Sequence, residues 1–456
     1  MTMLCVVAFS FGAAPVPPQE VQITSTPKNH TLDNNDNFSA DGRFLCYDTR
    51  EGVGPGIGNS QSIEMVEIAT GKEIVLYAPG ETLISADEKQ SAPGVGAVTF
   101  CPTADKVAFI HGPLPEEVAV RGYYGKPNRR GAEVAADGSG ALTWLDFRDP
   151  ATDRDTLPGA HRGGTHRHEY SLDGSRIGFT YDDVLMPEYG RTIGYMEVHP
   201  AAPGDATHYF AVLVPVVPSG KAKPGELETA LGDSWIGREG RVRAFIGKVR
   251  EGDGVSYAES LFAVTIPPDL DITTADSGGP ARYPSPPRGV SIRRLTHTWA
   301  CGVVRGSYRG DRIAYYAKDA EGRTQVYVIP VTGSDRDPDP AKRPVQVTRL
   351  PHDAATGLRW HPSDNTIFCV SNNAIAAVCV APGPRFGETV FLTPQDGVPR
   401  TNLVVSPDGK QLAYNKPVSA CAADGRRLAN YKGEDFLQIF MIGFPDADGD
   451  GITDAQ

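Results

Sequence analysis

Two imidazoles separated by one arginine, His166-Arg167-His168, stand just before an Asp-Gly turn. Residues two apart on a β-strand share a face, so both rings are expected to point at one ion or substrate. Gly163-Gly164 ahead of them allow close backbone approach. His30 and Asp36 occupy the comparable approach to an earlier turn, and His111 and Asp182 end alternating apolar runs. One reading gathers His30, Asp36, His111, His166, His168 and Asp182 at one point. There they would be ligands for a substrate or a divalent metal, with an imidazole or carboxylate free to move a proton. The other reading makes them hydrogen-bonded residues that hold neighbouring elements in register.

A second cluster lies near the C-terminus. Asp446, Asp448, Asp450 and Asp454 fall at positions 1, 3, 5 and 9 of a calcium-binding loop, with Gly451 at the sharp turn and the carbonyl of Ile452 at position 7. The alternative there is an acidic tail. Other chemistry is not signalled: the sequence has neither a Gly-x-Ser-x-Gly nucleophile elbow nor a phosphate-cradling P-loop. Trp235 and Arg238 could stack on a substrate, but a Trp packed between sheets explains the first as well.

What must position these residues is a repeat. Ser39-Ala40-Asp41-Gly42, Ser171-Leu172-Asp173-Gly174 and Ser406-Pro407-Asp408-Gly409 each precede an alternating apolar strand. Weaker copies begin near residues 101, 307 and 362. Asp-Gly accommodates tight reversal, so each copy reads as a hairpin, and alternation gives the next strand one face to bury. A second phrase, Val21-Gln22-Ile23-Thr24, recurs as Arg294-Leu295-Thr296, Val345-Gln346-Val347-Thr348 and Phe391-Leu392-Thr393. It marks outer strands, and its first copy is expected to complete the last sheet and close a ring.

Such sheets hide both faces only by stacking around an axis. The spacing between the copies at 171 and 307 is about twice the others, and residues 241–266 fit a degenerate unit between them. The expectation is an all-β propeller of four-stranded antiparallel blades, seven preferred and six the alternative. Residues 267–288, rich in Pro, Gly and Asp, read as a long surface loop.

These hairpins resemble those of TolB-like and WD40-like propellers. A closer resemblance is to an uncharacterised bacterial propeller family, a domain of unknown function. It is carried by Thr26-Pro27-Lys28-Asn29-His30, Phe109-Ile110-His111-Gly112-Pro113, Arg162-Gly163-Gly164-Thr165-His166-Arg167-His168, Phe179-Thr180-Tyr181-Asp182-Asp183 and Pro286-Pro287-Arg288-Gly289-Val290. The resemblance implies the fold and supplies no activity. Oligogalacturonate lyases are similar propellers with a His-rich metal site, and they offer an enzymatic analogy.

The formal net charge is -12, and no long Lys/Arg run is present, which argues against nucleic-acid binding. Residues 1–14 carry no charge and include Met3-Leu4-Cys5-Val6-Val7-Ala8-Phe9, followed by small residues and Pro15-Val16-Pro17-Pro18. That pattern resembles a signal peptide and places the protein in the periplasm or outside the cell; no later stretch is apolar enough to span a bilayer. Of seven Cys, Cys5 lies in that segment. The rest are irregularly spaced, and a hairpin at Asn372-Asn373 would set Cys369 opposite Ala376 rather than Cys379. The division expected is a signal-like segment at 1–18, a propeller at 19–444 and an acidic tail at 445–456. The function expected is binding of a protein or saccharide at the channel mouth, with a metal-dependent polysaccharide lyase or hydrolase as the alternative.

Overall fold

The computed structural model describes residues 18–33, 36–51 and 56–444. Seven antiparallel sheets follow one another along the chain, and six of them have four strands. Blade 1 comprises Phe44–Asp48, Ile63–Glu67 and Lys72–Tyr77; its inner edge is an irregular segment bridged at Thr31↔Asp48 and Phe38↔Leu45. Blade 2 is Val95–Phe100, Lys106–His111, Arg130–Ala135 and Leu142–Trp144. Blade 3 is Gly164–Tyr170, Arg176–Asp182, Thr192–Val198 and His208–Val212. Blade 4 is Leu227–Ile236, Val242–Arg250, Tyr257–Thr265 and Ser291–Arg294, so the degenerate unit is a full blade. Blade 5 is Ala300–Gly306, Arg312–Lys318, Thr324–Pro330 and Val345–Gln346. Blade 6 is Ala354–Trp360, Thr366–Ser371, Ala374–Cys379 and Thr389–Phe391. Blade 7 is Thr401–Val405, Gln411–Val418 and Phe436–Gly443, completed on its outer edge by Val21–Gln22.

The two repeated phrases have separate jobs. In the hairpins, Ser39 Oγ donates to Asp41 at 2.7 Å, Ser171 Oγ to Asp173 at 2.5 Å and Ser406 Oγ to Asp408 at 2.6 Å. The same serine oxygens accept from the amides of Phe44, Arg176 and Gln411, five residues on. Each turn is therefore closed by its own side chains. In the outer strands the recurring threonine caps the third strand. Thr24, Thr296, Thr348 and Thr393 accept from the amides of Ile439, Leu261, Val326 and Ile375 at 2.8–3.0 Å. Each hydroxyl replaces a ladder bond at the point where the edge strand turns away.

The core lies between blades rather than within one. A cluster of Leu45, Tyr47 and Val66 from blade 1 with Val404, Ala413, Ile439 and Met441 from blade 7 joins last blade to first. Arg400, whose side chain is fully buried, takes both carboxylate oxygens of Glu20 at 2.8 Å, and Tyr414 donates to Glu20 at 2.6 Å. The ring is thus closed by strand pairing, packing and a two-point ion pair.

One expectation needs correction. Residues 267–288 are not a bare surface loop. Ile272 and Tyr283 are buried, Tyr283 stacks on Tyr189 at 4.2 Å, and Arg162 of blade 3 donates to the carbonyls of Gly279 and Arg282. The segment is a strap across blade 3. The cysteines behave as read: Cys369 pairs with Ala376, and all six in the described residues are free.

Candidate functional site in the axial channel

The innermost strands are each broken at the same place. Register shifts end at Thr99, Glu169, Ser234, Arg305, Arg359 and Val404 in blades 2 to 7. Inside each shift sits a residue with positive φ: Ala97 (56°), Arg167 (59°), Gly232 (67°), Gly302 (75°), Gly357 (69°) and Asn402 (56°). A bulge of this kind adds a residue, bends the strand and re-aims the side chain that follows. Glycine fills three of the six positions because it adopts the left-handed conformation without strain.

Four of the re-aimed residues, Glu169, Ser234, Arg305 and Arg359, wall a central cavity with Asp36, Tyr308, Trp235 and Trp360. Glu169 accepts from Ser234 Oγ at 3.0 Å and lies 3.3 Å from Arg305 and 3.2 Å from Arg243. Arg243 is also bonded to Asp233 and lies over the Trp235 ring at 4.4 Å. The indoles hold neighbouring blades: Trp235 Nε1 donates to Glu169 O and Trp360 Nε1 to Arg305 O, both at 3.0 Å. Burial pushes the Arg305 and Arg359 guanidiniums below their ordinary range, and each is further depressed by nearby arginines. Asp36 is open to the channel, yet the surrounding protein raises its carboxyl above the usual carboxylate range despite Arg359 beside it.

Above this girdle, on the side of the hairpin turns, the channel continues into a collar to which every blade contributes. Its apolar members are Phe38, Phe100, Leu172, Tyr308, Pro362 and Val405, with Arg238 of blade 4 at the rim. Asp36, Leu172 and Tyr308 border both compartments, so collar and girdle are continuous.

Of the six residues singled out by sequence, only Asp36 lines this cavity. His30 is buried beside blade 1, with Nε2 at 3.1 Å from Glu73 and 3.0 Å from Thr26, and its ring lies 4.8 Å from Tyr47. Burial would raise Glu73, but bonds from His30, Lys28 and Thr26 hold it down to about 2. His111 is buried between Tyr77 (3.0 Å) and the Trp144 ring (5.0 Å), and burial lowers it to about 4. The bulge at Arg167 also undoes the expected pairing of His166 with His168. His166 turns to Thr180 and the charges of Arg129, Arg191 and Asp33, and burial with those arginines holds it well below the ordinary imidazole range. His168 is fully buried between blades 2 and 3, 3.1 Å from Thr165 Oγ1. Asp182 is held by Arg191 at 2.7 Å.

His168 belongs to a closed network. Thr165 Oγ1 donates to Asp146 Oδ2 at 2.5 Å, Gly131 N donates to Asp146 Oδ1 at 3.0 Å, and His161 Nε2 lies 3.3 Å from Asp146. Burial would raise Asp146, but His161 and Arg130 hold it below the ordinary range. Among the described residues, no three His, Cys, Asp or Glu side chains are placed to hold a metal ion. The lyase-like reading therefore finds no ligand set among them. Asp446, Asp448, Asp450, Ile452 and Asp454, the calcium-loop candidates, lie outside the described residues, as does the signal-like run at 1–14.

The girdle residues were missed although a signal existed. Glu169, Arg305 and Arg359 each stand two positions before the first residue of a hairpin copy, Ser171, Ser307 and His361. Comparing equivalent positions across copies would have brought the three charges to one level of the channel.

The family described as "Protein of unknown function (DUF3748)" matches residues 94–202. The uncharacterized protein YidR of Escherichia coli (strain K12) is 30% identical over 424 residues, covering 86% of this chain and 94% of that one. Oligogalacturonate lyase in complex with manganese aligns over 96% of each chain with 12% identity and a TM-score of 0.42. TolB from Acinetobacter baumannii aligns over 89% of this chain and 81% of its own, with 12% identity and a TM-score of 0.39. No helix among the described residues is long and apolar enough to cross a membrane.

Proposed function

Since the chain belongs to the DUF3748 family together with YidR, we propose that it is a cell-envelope binding propeller whose ligand, a protein segment or a saccharide, is held in the axial channel. The observation that carries this reading is the convergence of Asp36, Glu169, Ser234, Arg305 and Arg359, from five blades, on one cavity. Polar side chains re-aimed by bulges from distant parts of the chain meet where a fold alone needs none of them, and concave sites with a few convergent polar groups are where ligands bind. Envelope placement is supported by the uncharged apolar run at residues 1–14; recovery of the protein with the cytosol of spheroplasts would count against it.

The test is a titration followed by the fluorescence of Trp235 and Trp360, which wall the cavity. The probes are cello-oligosaccharides, oligogalacturonides and a set of decapeptides. A saturable change that disappears in Arg305→Ala/Arg359→Ala supports the reading. Binding that survives in that variant, or no response to any probe, speaks against it. The C-terminal acidic loop is a proposed calcium site through Asp446, Asp448, Asp450, Asp454 and the Ile452 carbonyl. Equilibrium dialysis with calcium should show one fewer bound ion in Asp446→Ala/Asp448→Ala/Asp450→Ala; equal binding by both proteins would remove the site.

A further inference from the structure

Arginines and carboxylates meet around the axial cavity, Arg243, Arg305 and Arg359 with Asp36, Glu169 and Asp233. Asp233 is bonded to Arg243, and Glu169 is divided between Arg243 and Arg305. Asp36 is the charge that most favours the Arg359 guanidinium. Arg359 is only 6% exposed and lines the cavity, its Nη1 donates to Leu358 O at 2.9 Å, and its Nε and Nη2 have no hydrogen-bond partner among the described residues. A buried guanidinium with two idle donors fits an anion, because a carboxylate would accept from both donors at once.

The collar narrows the class of anion. Beyond Asp36 and Arg238 it is lined by Phe38, Phe100, Leu172, Val405, Tyr308 and prolines. A bare inorganic anion would leave that surface wet, and a neutral sugar would bring no charge to Arg359. The cavity volume is about 60 Å³ at the girdle and about 160 Å³ at the collar, which suits a carboxylate head and a slender apolar stem rather than a bulky ligand.

Resting on the channel reading above, we propose that the axial cavity binds a carboxylate carried on an apolar stem, the carboxylate against Arg359 and Arg305 and the stem in the collar, entering from the face of the hairpin turns. The stem's source is either a free small acid or the C-terminal residues of a peptide, and both present the same chemistry.

The test titrates the full chain with octanoate, octanamide, acetate and a hexapeptide ending in Leu-Phe, as free acid and as amide, reading the fluorescence of Trp235 and Trp360. The expected result is saturable binding of octanoate or of the peptide acid. The matching amide binds at least tenfold more weakly, and acetate at least tenfold more weakly than octanoate. Arg359→Met lowers octanoate or peptide-acid affinity at least tenfold, and Arg359→Lys restores part of it. Binding of octanoate alone names a small acid, and binding of the peptide acid names a chain end. Leu172→Glu, at the collar, provides a second variant should Arg359→Met not fold, and it should lower the affinity similarly. Amide binding as tight as acid, or affinity unchanged in both variants, overturns the proposal. If a neutral oligosaccharide binds and is lost in Arg359→Met while no carboxylate binds, the channel reading stands and the carboxylate proposal falls. If no probe responds to either variant, both fall.

Discussion

His168 and Glu169 are adjacent in sequence and end up in opposite kinds of polar cluster. His168 turns between blades 2 and 3 into a network with Thr165, Asp146 and His161, all fully buried. Glu169 turns to the axis, where Arg305, Arg243 and Ser234 reach it and Arg359 keeps unpaired donors. Both clusters are buried, and both contain perturbed ionisable groups. Burial therefore does not separate structure from function here. The carboxylate's company does: Asp146 is reached from three sides, whereas at the axis Arg359 keeps Nε and Nη2 without a hydrogen-bond partner among the described residues.

The contrast breaks most visibly at Asp146. Asp146→Ala should destabilise the fold by about 3–5 kcal/mol, because it strands buried partners that have no water to turn to. Urea unfolding measures it, and a loss below about 1 kcal/mol would mean the network carries no structural load. Acid should act on the same interior. His168 and His111 titrate near 4 in the folded protein against an ordinary 6.5. The unfolded chain therefore binds protons more tightly in that window. Stability is fully present above about pH 6.5 and falls as pH drops towards 4, by up to about 3 kcal/mol for each imidazole. Urea midpoints taken from pH 7 to pH 4 follow this, and a flat profile would contradict it.

Smaller effects are expected at the axis. Gly357→Ala places a Cβ at φ 69° and 2.9 Å from Leu403 Cδ1, just before Arg359. It should cost about 1–2 kcal/mol, visible as a lowered melting temperature; no change would mean that the bulge tolerates an ordinary residue. Arg359→Met should leave stability within about 1 kcal/mol of the parent, or raise it, since a buried guanidinium with two idle donors is replaced by an apolar side chain of similar length. A loss of several kcal/mol would make Arg359 a structural residue and would remove the contrast.

The wheel was legible because its devices are local. Ser-x-Asp-Gly closes a turn with its own atoms, and the threonine of each outer strand caps the amide of the strand beside it. The blade without a clear hairpin was found only by its spacing. The site was less legible because its geometry depends on bulges. Alternation set His166 and His168 on one face, and the left-handed residue between them cancelled that inference. Arg167 gives no sequence warning of a positive φ, as Gly232, Gly302 and Gly357 do. Asp36 was found because it stands beside a hairpin copy, whereas Arg305 and Arg359 show their common level only when the copies are superposed. The strap at 267–288 was read from composition, which does not reveal that Tyr283 stacks on a neighbouring blade.

The decisive measurement compares the rise in melting temperature produced by saturating octanoate in the parent protein, in Arg359→Met and in Asp146→Asn. The account predicts a rise in the parent, no rise in Arg359→Met despite near-parental stability, and a full rise in Asp146→Asn from a lower starting point. Equal rises in all three proteins, or a rise lost only in Asp146→Asn, would contradict the assignment of the axial cavity as the binding site.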